Sequence, residues 1–209
     1  VYSVCMCPGG HIVPAGSANE SCVVNGMSAS HRNSPFANSG IVVEIHPEDL
    51  TNWKHEPTLL PITLAFQQYV EQLAWQAGGE HNEAPAQRLK DFVEGKESAS
   101  LPKCSYLLGI KSSRLDEWLP AIIGKRLQQG FKDFNKKYPG YLTNDAVILG
   151  VESRSSSAVR IPRDEETYQS LSTRNLYPCG EGAGYAGGIT SSALDGINAA
   201  LAITQLSEL

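Results

Sequence analysis

The stretch that decides the fold is residues 177–203, YPCGEGAGYAGGITSSALDGINAALAI. Five of the nine residues from Gly180 to Gly188 are glycine, and a helical pattern follows them at once. The helix is predicted from one apolar stripe at helical spacing, formed by Ile189, Ala193, Ile197 and Leu201. Glycine costs conformational entropy, so this density before a helix indicates a backbone that turns tightly or approaches a ligand closely.

Residues 182–187 fit G-x-G-x-x-G, the fingerprint of dinucleotide-binding loops. The helix that follows would present unpaired N–H groups to an anion such as pyrophosphate, and Thr190 or Ser191 is its predicted cap. A Rossmann fold then needs a second parallel strand and an acidic residue roughly 20 residues further on. The sequence reaches Leu209 before such a strand. We therefore expect a last strand, at 175–179, and a last helix of a sheet whose other strands lie elsewhere.

Composition indicates a globular protein of a reducing compartment. Apolar residues make up 41% and charged residues 19% of the 209 residues, which is ordinary for a folded domain. The net charge of −5 gives no basis for nucleic-acid binding, and no apolar stretch approaches the ~20 residues that span a bilayer. No signal-peptide pattern is visible, and the odd number of cysteines, 5, argues against a disulfide framework. We expect a cytoplasmic protein with no nucleic-acid or membrane partner.

Two regions of different character divide the sequence near residue 142. Residues 1–142 contain short predicted strands, with Asn25-Gly26 as one turn signal between them, followed by three predicted helices. These helices begin at proline residues and run over about 61–77, 85–94 and 120–134. Residues 143–209 contain two extended segments, 145–153 and 156–163, before the glycine-rich stretch. The predicted class is mixed α/β.

Four stretches together resemble one protein family. They are CMCPGG at 5–10, VVNGMSAS at 23–30, GVESRSSSAVRIPRD at 150–164 and LYPCGEGAGYAGGITSSALDGINAA at 176–200. They resemble the uncharacterised bacterial FAD-dependent dehydrogenases, and GEGAGYAGGI is the most specific piece. The last stretch also resembles the C-terminal FAD motif of two-dinucleotide-binding flavoproteins, in which the final strand and helix cover the flavin side of the cofactor.

The resemblance implies that the chain is the C-terminal part of an FAD-dependent oxidoreductase. Residues 1–142 would then form most of a substrate-capping domain, and residues 143–209 would complete the FAD-binding domain. The N-terminal Rossmann portion with the ADP-binding fingerprint, absent from this sequence, would be its partner, together with a small-molecule substrate that the sequence does not identify. We expect the full-length protein to bind FAD and this chain alone to bind it weakly or not at all, and to be inactive.

The resemblance also implies the residues of the cofactor site. Glu181 matches the acidic position that bonds the ribityl chain in related flavoproteins, and carboxylate oxygens suit hydroxyl donors. The N–H groups near Gly187, Gly188 and Ile189 would approach the pyrophosphate or the pyrimidine edge of the flavin, where a helix N-terminus stabilises negative charge. The full predicted set of cofactor-binding residues is Gly180, Glu181, Gly182, Ala183, Gly184, Gly187, Gly188 and Ile189.

Four residues are candidates for catalysis. Cys5 and Cys7 are two apart in a predicted strand, so both sulfurs would face one side and could act as a redox pair; two buried thiols are the alternative. His31 lies in the segment that family members tend to place on the substrate side. Arg160 is one of the arginines before the glycine-rich stretch that could bind an anionic substrate or the reduced flavin, with surface ion pairing as the alternative.

Two other functions remain open, and no metal is expected. The glycine-rich stretch and the helix could hold a nucleotide or a phosphate without redox chemistry. The glycines could also serve only close packing of the helix against a sheet. A zinc site that joins His11 and Cys22 to the first two cysteines matches no usual ligand spacing.

Overall fold

The structure is a computed structural model that describes residues 1–16, 18–54 and 56–207, and it confirms the mixed α/β class. The chain forms two compact units. The first comprises Val1–Glu56 and Ala65–Ser153, and the second comprises Pro57–Leu64 and Arg154–Leu209. The structure thus divides the chain between Ser153 and Arg154. The functional division predicted at residue 142 stays a prediction.

Two antiparallel strand pairs open the first unit. Their strands are β1 (Tyr2–Pro8) with β4 (Ala37–Val42), and β2 (Gly10–Pro14) with β3 (Val24–Ser28). The pairing register of β1 shifts between Val4, which faces Gly40, and Cys7, which faces Asn38. This β-bulge bends the strand and breaks its strict alternation of faces.

The Asn25-Gly26 dipeptide, predicted as a turn, lies inside β3. A Cβ at Gly26 would overlap the Asn38 side chain on the neighbouring strand. The strand requires glycine at position 26 because the Asn38 side chain occupies the space of a Cβ. The glycine thus reflects close packing, and the turn prediction was wrong.

A three-stranded sheet lies further along the first unit. Its order is β6 (Ile110–Ser112), β5 (Ala84–Arg88) and β7 (Val147–Leu149), with β6 parallel and β7 antiparallel to β5. The helix predicted over 85–94 was wrong in its first half, because only α2 (Leu89–Glu94) is helical. Ala84 and Ala86 are completely buried. A central strand covered on both sides carries no polar face, so its apolar run can be mistaken for a buried helix.

Three further helices belong to the middle of the chain: α1 (Ile62–Ala77), α3 (Leu115–Trp118) and α4 (Ala121–Lys137). The first and last confirm the helices predicted to begin near Pro61 and Pro120. One core cluster of the first unit contains Cys22, Val24, Ala74, Ala84 and Tyr106. In the described residues no helix has the length and apolarity needed to cross a membrane.

The second unit is dominated by one helix, α5 (Ile189–Ser207), which confirms the helix predicted after the glycines. Residues 154–188 are irregular, apart from an isolated bridge between Arg163 and Ser170. The strands predicted over 156–163 and 175–179 were therefore wrong. A strand needs a neighbouring strand for its backbone hydrogen bonds, and the described part of this unit offers none.

Helix α5 exposes an apolar face. The exposed fractions are 93% for Ile189 and 55% for each of Leu194, Ile197 and Leu201. Ala199 and Ala202 are buried instead. The apolar stripe predicted at Ile189, Ala193, Ile197 and Leu201 exists, and every member of it is exposed. A large exposed apolar face on a helix is typical of a surface that contacts a protein, a ligand or a membrane.

Candidate functional site

The glycine loop, residues 180–188, is shaped by two glycines in the left-handed region. Gly180 has φ +71° and Gly184 has φ +83°. The Gly184 N–H donates to the Glu181 carbonyl at 2.9 Å, and the Tyr185 N–H donates to the Gly180 carbonyl at 3.1 Å. A Cβ at Gly184 would lie 2.5 Å from the Val159 carbonyl oxygen. No other residue fits at Gly184 without moving the backbone.

Asp195, in α5, fastens the start of this loop. Its Oδ2 accepts the Gly180 N–H at 2.8 Å, and its two oxygens accept Arg163 Nη1 and Nη2 at 2.9 and 2.6 Å. Arg163 Nη1 also donates to the Pro178 carbonyl at 2.7 Å. The two side chains are only 8% and 14% exposed for Arg163 and Asp195. The hydrogen bonds from Arg163 hold the pKa of Asp195 below its ordinary value, although desolvation acts in the opposite direction.

Tyr185, inside the loop, is held at its hydroxyl, and two guanidinium groups lie over its ring. The hydroxyl donates to the Ile161 carbonyl at 3.0 Å and accepts the Arg163 N–H at 3.1 Å. The guanidinium carbons of Arg163 and Arg160 lie 3.6 and 4.2 Å from the ring centroid. Arg163 also lies 4.1 Å from the ring centroid of Tyr168. Two tyrosine rings and two guanidinium groups thus form one cluster of cation–π contacts beside the loop.

The remaining part of the loop is open. A Cβ built at Gly182 or Gly187 would have no neighbour within 4 Å. Glu181 is exposed, whereas Ala183 is buried and its carbonyl accepts the Ile161 N–H at 3.1 Å. The loop therefore has a packed side at Ala183 and Gly184 and a side where its backbone can be approached directly.

The start of α5 differs from the predicted cap. Gly188 precedes the helix, and its carbonyl accepts the first helical bond, from Ser192 N–H, at 2.9 Å. Ser191 Oγ accepts the Gly188 N–H at 3.1 Å and can return a hydrogen bond to the Gly188 carbonyl at 3.0 Å. Ser191 is thus a third-position residue reaching back to the cap, and neither Ser191 nor Thr190 is the cap itself.

Cys5 and Cys7 lie on β1 of the first unit, with Cys5 inside its bulge and Cys7 at the end of it. Cys5 is exposed and has φ +49°, which is unusual for a residue other than glycine. The Cys7 thiol donates to the Cys5 carbonyl at 3.2 Å. The bulge breaks the alternation from which we expected both sulfurs to face one side. Opposite Cys7, both polar atoms of the Asn38 amide are buried and have no partner in the described part of the chain.

His31 is exposed in the connection between β3 and β4. Its neighbour Arg32 has φ +46°, and the carbonyl of Arg32 occupies the space that a Cβ at Gly9 would need. Backbone in this region is uncommon for side chains other than glycine and is enriched at functional sites.

No group of three or more histidine, cysteine, aspartate or glutamate side chains within the described ranges is arranged to hold a metal. Burial raises the pKa of the Cys22 thiol to about 11, so this sulfur stays protonated at neutral pH.

The structure brings together the glycine loop and Arg160 in the second unit. The other catalytic candidates, Cys5, Cys7 and His31, belong to the first unit. Sequence reasoning missed Asp195 and the supporting role of Tyr185. The available signals were an acidic residue in an otherwise apolar helix and an aromatic residue between fingerprint glycines. Neither signal shows, without the structure, that both residues contact Arg163.

Comparison with known proteins identifies a family for this chain. The family model "FAD-dependent protein, C-terminal domain-like" matches residues 1–155. A protein of Clostridium beijerinckii, described only as an uncharacterized protein, is 41% identical over 211 residues. That alignment covers 100% of this chain and 38% of the relative. The chain therefore spans well under half the length of the curated relative that it matches, and that alignment includes the glycine loop.

Proposed function

We propose that this chain, which belongs to the FAD-dependent protein, C-terminal domain-like family, is the C-terminal part of an FAD-dependent oxidoreductase of the dehydrogenase type. In this proposal residues 143–209 supply the flavin-side half of the FAD site. Residues 1–142 form most of a cap over a small-molecule substrate. The adenosine half of the site would come from an N-terminal Rossmann portion of the same protein.

The observation that carries the proposal is the two-sided construction of the glycine loop. Gly180 and Gly184 are fixed by hydrogen bonds and close packing, while Gly182 and Gly187 border open space. A loop that is rigid on one side and bare on the other lets a flat cofactor approach the backbone closely. This arrangement fits FAD better than it fits a loop whose glycines serve only packing, because packing requires glycine at position 184 and not at 182 or 187.

The residues that would hold the cofactor follow from the same geometry. Glu181 is exposed and can accept hydrogen bonds from ribityl hydroxyls. The Gly188 N–H already donates to Ser191, so the N–H groups of Gly187 and Ile189 are the better donors to the cofactor. The positive end of the α5 dipole favours a negative charge beside them.

When bound, FAD supplies the redox chemistry by accepting an electron pair from the substrate. The residues of this chain would bind and orient it. Asp195 and Arg163 hold the start of the loop in place. Cys5, Cys7 and His31 remain candidates for contact with substrate, since thiols and imidazoles commonly act as acid–base groups in active sites.

The exposed apolar face of α5 favours the proposal that another portion of the same protein packs against this helix. Fully burying a side chain such as Leu194, Ile197 or Leu201 contributes about 1.5–3 kcal/mol. The relative from Clostridium beijerinckii is longer than this chain, which covers 38% of it. A Rossmann portion that packs against α5 would bury this face and would also complete the cofactor site.

The proposal is tested by visible absorption. This chain and the full-length protein are each incubated with FAD, desalted and scanned for flavin bands. We expect the bands to stay with the full-length protein and to leave this chain. A Gly187→Val variant of the full-length protein should fold and lose the bands. The control Gly124→Ala, in α4 of the first unit, should keep them, because a Cβ there meets only ordinary contacts with Leu119.

Two other results have clear meanings. If neither the full-length protein nor the chain retains flavin, the oxidoreductase proposal fails. If the full-length protein then binds a nucleotide or phosphate, and Gly187→Val abolishes that binding, the loop serves the alternative function of a nucleotide- or phosphate-binding module without redox chemistry.

A further inference from the structure

We propose that Arg160 binds an oxyanion at the glycine loop, with Tyr185 as the platform that holds its guanidinium in place. The ligand class is a phosphate or a carboxylate group. The inference rests on the proposed function only for the source of that group, which is either the diphosphate of FAD or an acidic group of the substrate.

The first observation is that the platform is fixed before any ligand arrives. The Tyr185 hydroxyl is bonded to Ile161 and Arg163 at 3.0 and 3.1 Å. One ring face is covered by Arg163 at 3.6 Å, and Arg163 is itself held by Asp195. Arg160 lies over the ring at 4.2 Å. The Arg160 guanidinium is therefore held in place before binding, which reduces the conformational entropy that it loses when a ligand binds.

The second observation is that the Arg160 guanidinium has no ion-pair partner in the described part of the chain. Arg160 and Arg163 both lie over the Tyr185 ring, and the carboxylate bonded to Arg163 is Asp195. Both oxygens of Asp195 accept from Arg163, and Oδ2 also accepts the Gly180 N–H. Arg163 is thereby neutralised. No ion pair in the described part of the chain involves Arg160, whose residue is exposed. The Arg160 guanidinium is therefore available to a ligand beside the loop.

The third observation is the attachment of Arg160 to the loop backbone. A Cβ at Gly184 would lie 2.9 Å from the Arg160 Cα. The next residue, Ile161, donates its N–H to the Ala183 carbonyl at 3.1 Å. Arg160 thus cannot move away from the loop without breaking its packed side. A planar guanidinium presented in this way suits bidentate bonds to phosphate or carboxylate oxygens.

The test measures binding of inorganic pyrophosphate to this chain by isothermal titration calorimetry. We expect Arg160→Gln to weaken binding at least tenfold and Arg160→Lys to recover part of the loss. The matched control is Arg174→Gln, because Arg174 is also an exposed arginine of the second unit. Circular dichroism confirms that the variants keep the helix content of the parent chain.

Three results would overturn the inference. The parent chain could fail to bind pyrophosphate, Arg160→Gln could bind it as tightly as the parent, or Arg174→Gln could weaken it as much as Arg160→Gln does. The last result would show that general surface charge, and not this arginine, attracts the anion.

The full-length protein distinguishes the two sources. If bound FAD blocks pyrophosphate and Arg160→Gln weakens FAD but not riboflavin, the site takes the diphosphate of the cofactor. If the FAD-loaded protein still binds pyrophosphate, and Arg160→Gln removes that binding, the site takes an acidic group of the substrate. A full-length protein that holds no FAD would end the proposed function, while the pyrophosphate titration would still decide the role of Arg160.

Discussion

The Asp195 carboxylate accepts two hydrogen bonds from the Arg163 guanidinium, at 2.6 and 2.9 Å, and both side chains are largely buried. The same carboxylate accepts the N–H of the first glycine of the loop. A single side chain in α5 therefore controls both the support of the loop and its starting point. Changes at this position should act on the loop before they act on the rest of the chain.

Asp195→Ala should destabilise the second unit by about 3 kcal/mol, because it leaves the Arg163 charge without its partner and the Gly180 N–H without an acceptor. Hydrogen–deuterium exchange should report faster exchange at Gly180 and Tyr185. Tryptophan fluorescence reports on the first unit instead, since Trp53, Trp75 and Trp118 all belong to it.

The control for this variant is Asp133→Ala. Asp133 pairs with Lys136 at 2.9 Å, but the two side chains are 53% and 74% exposed. An exposed pair contributes at most about 1 kcal/mol, so stability should change little. Equal effects of the two alanine substitutions would contradict a special role for Asp195.

Acid should weaken the second unit through Asp195. The bonds from Arg163 lower its pKa in the folded state, so its contribution is complete above the unfolded pKa of about 3.9 and is lost as the pH falls through the lower folded pKa. Stability measured by exchange or by urea, from neutral pH downward, should show the gap between the parent chain and Asp195→Asn shrinking below about pH 4. A gap that stays constant over this range would refute the assignment.

Alanine should destabilise the fold at one loop glycine and leave its stability unchanged at another. Gly184→Ala should destabilise the fold by more than about 1 kcal/mol, because φ is +83° and the new Cβ would lie 2.5 Å from the Val159 carbonyl. Gly187→Ala should leave stability within about 0.5 kcal/mol, because no atom lies within 4 Å of its Cβ. Thermal unfolding of this chain compares the two variants directly, and similar melting temperatures for both would show that the loop is not two-sided.

Gly196→Ala should reveal whether α5 is covered in the full-length protein. In this chain nothing lies within 4 Å of the added Cβ, so alanine should stabilise the helix by about 0.5–1 kcal/mol. If the Rossmann portion packs closely beside Ile197, the same substitution should be neutral or destabilising in the full-length protein. Melting temperatures of both proteins, with and without the substitution, provide the measurement. Equal stabilisation in the two would place Gly196 outside the interface.

The helices were predictable where their signals are local. Pro61 and Gly78 bound α1, and one apolar face repeats between them, so the sequence alone defines the element. The segment from Ala84 to Arg88 was not predictable in this way. Its environment is set by β6 and β7, which are distant in sequence, and a strand buried on both faces shows no period that separates it from a helix.

The candidate site was half predictable. The fingerprint located the glycine loop, because all its glycines lie at fixed spacings within one short stretch of the sequence. The residues that hold the loop lie outside the fingerprint. Arg163 precedes the loop and Asp195 follows it, and only folding brings their charges together. The turn predicted at Gly26 was wrong for the same reason. The Asn38 side chain, which would overlap a Cβ at Gly26, belongs to another strand.

The two-sided loop has an evolutionary consequence. If the loop binds a cofactor as proposed, selection for folding acts at positions 180 and 184, where a side chain would strain the backbone, and selection for ligand binding acts at 182 and 187, where a side chain would fit. A homologue that keeps the first pair of glycines but has lost the second would retain the architecture without the cofactor. Those four positions would therefore distinguish working members of the family from degenerate ones that keep only the shape.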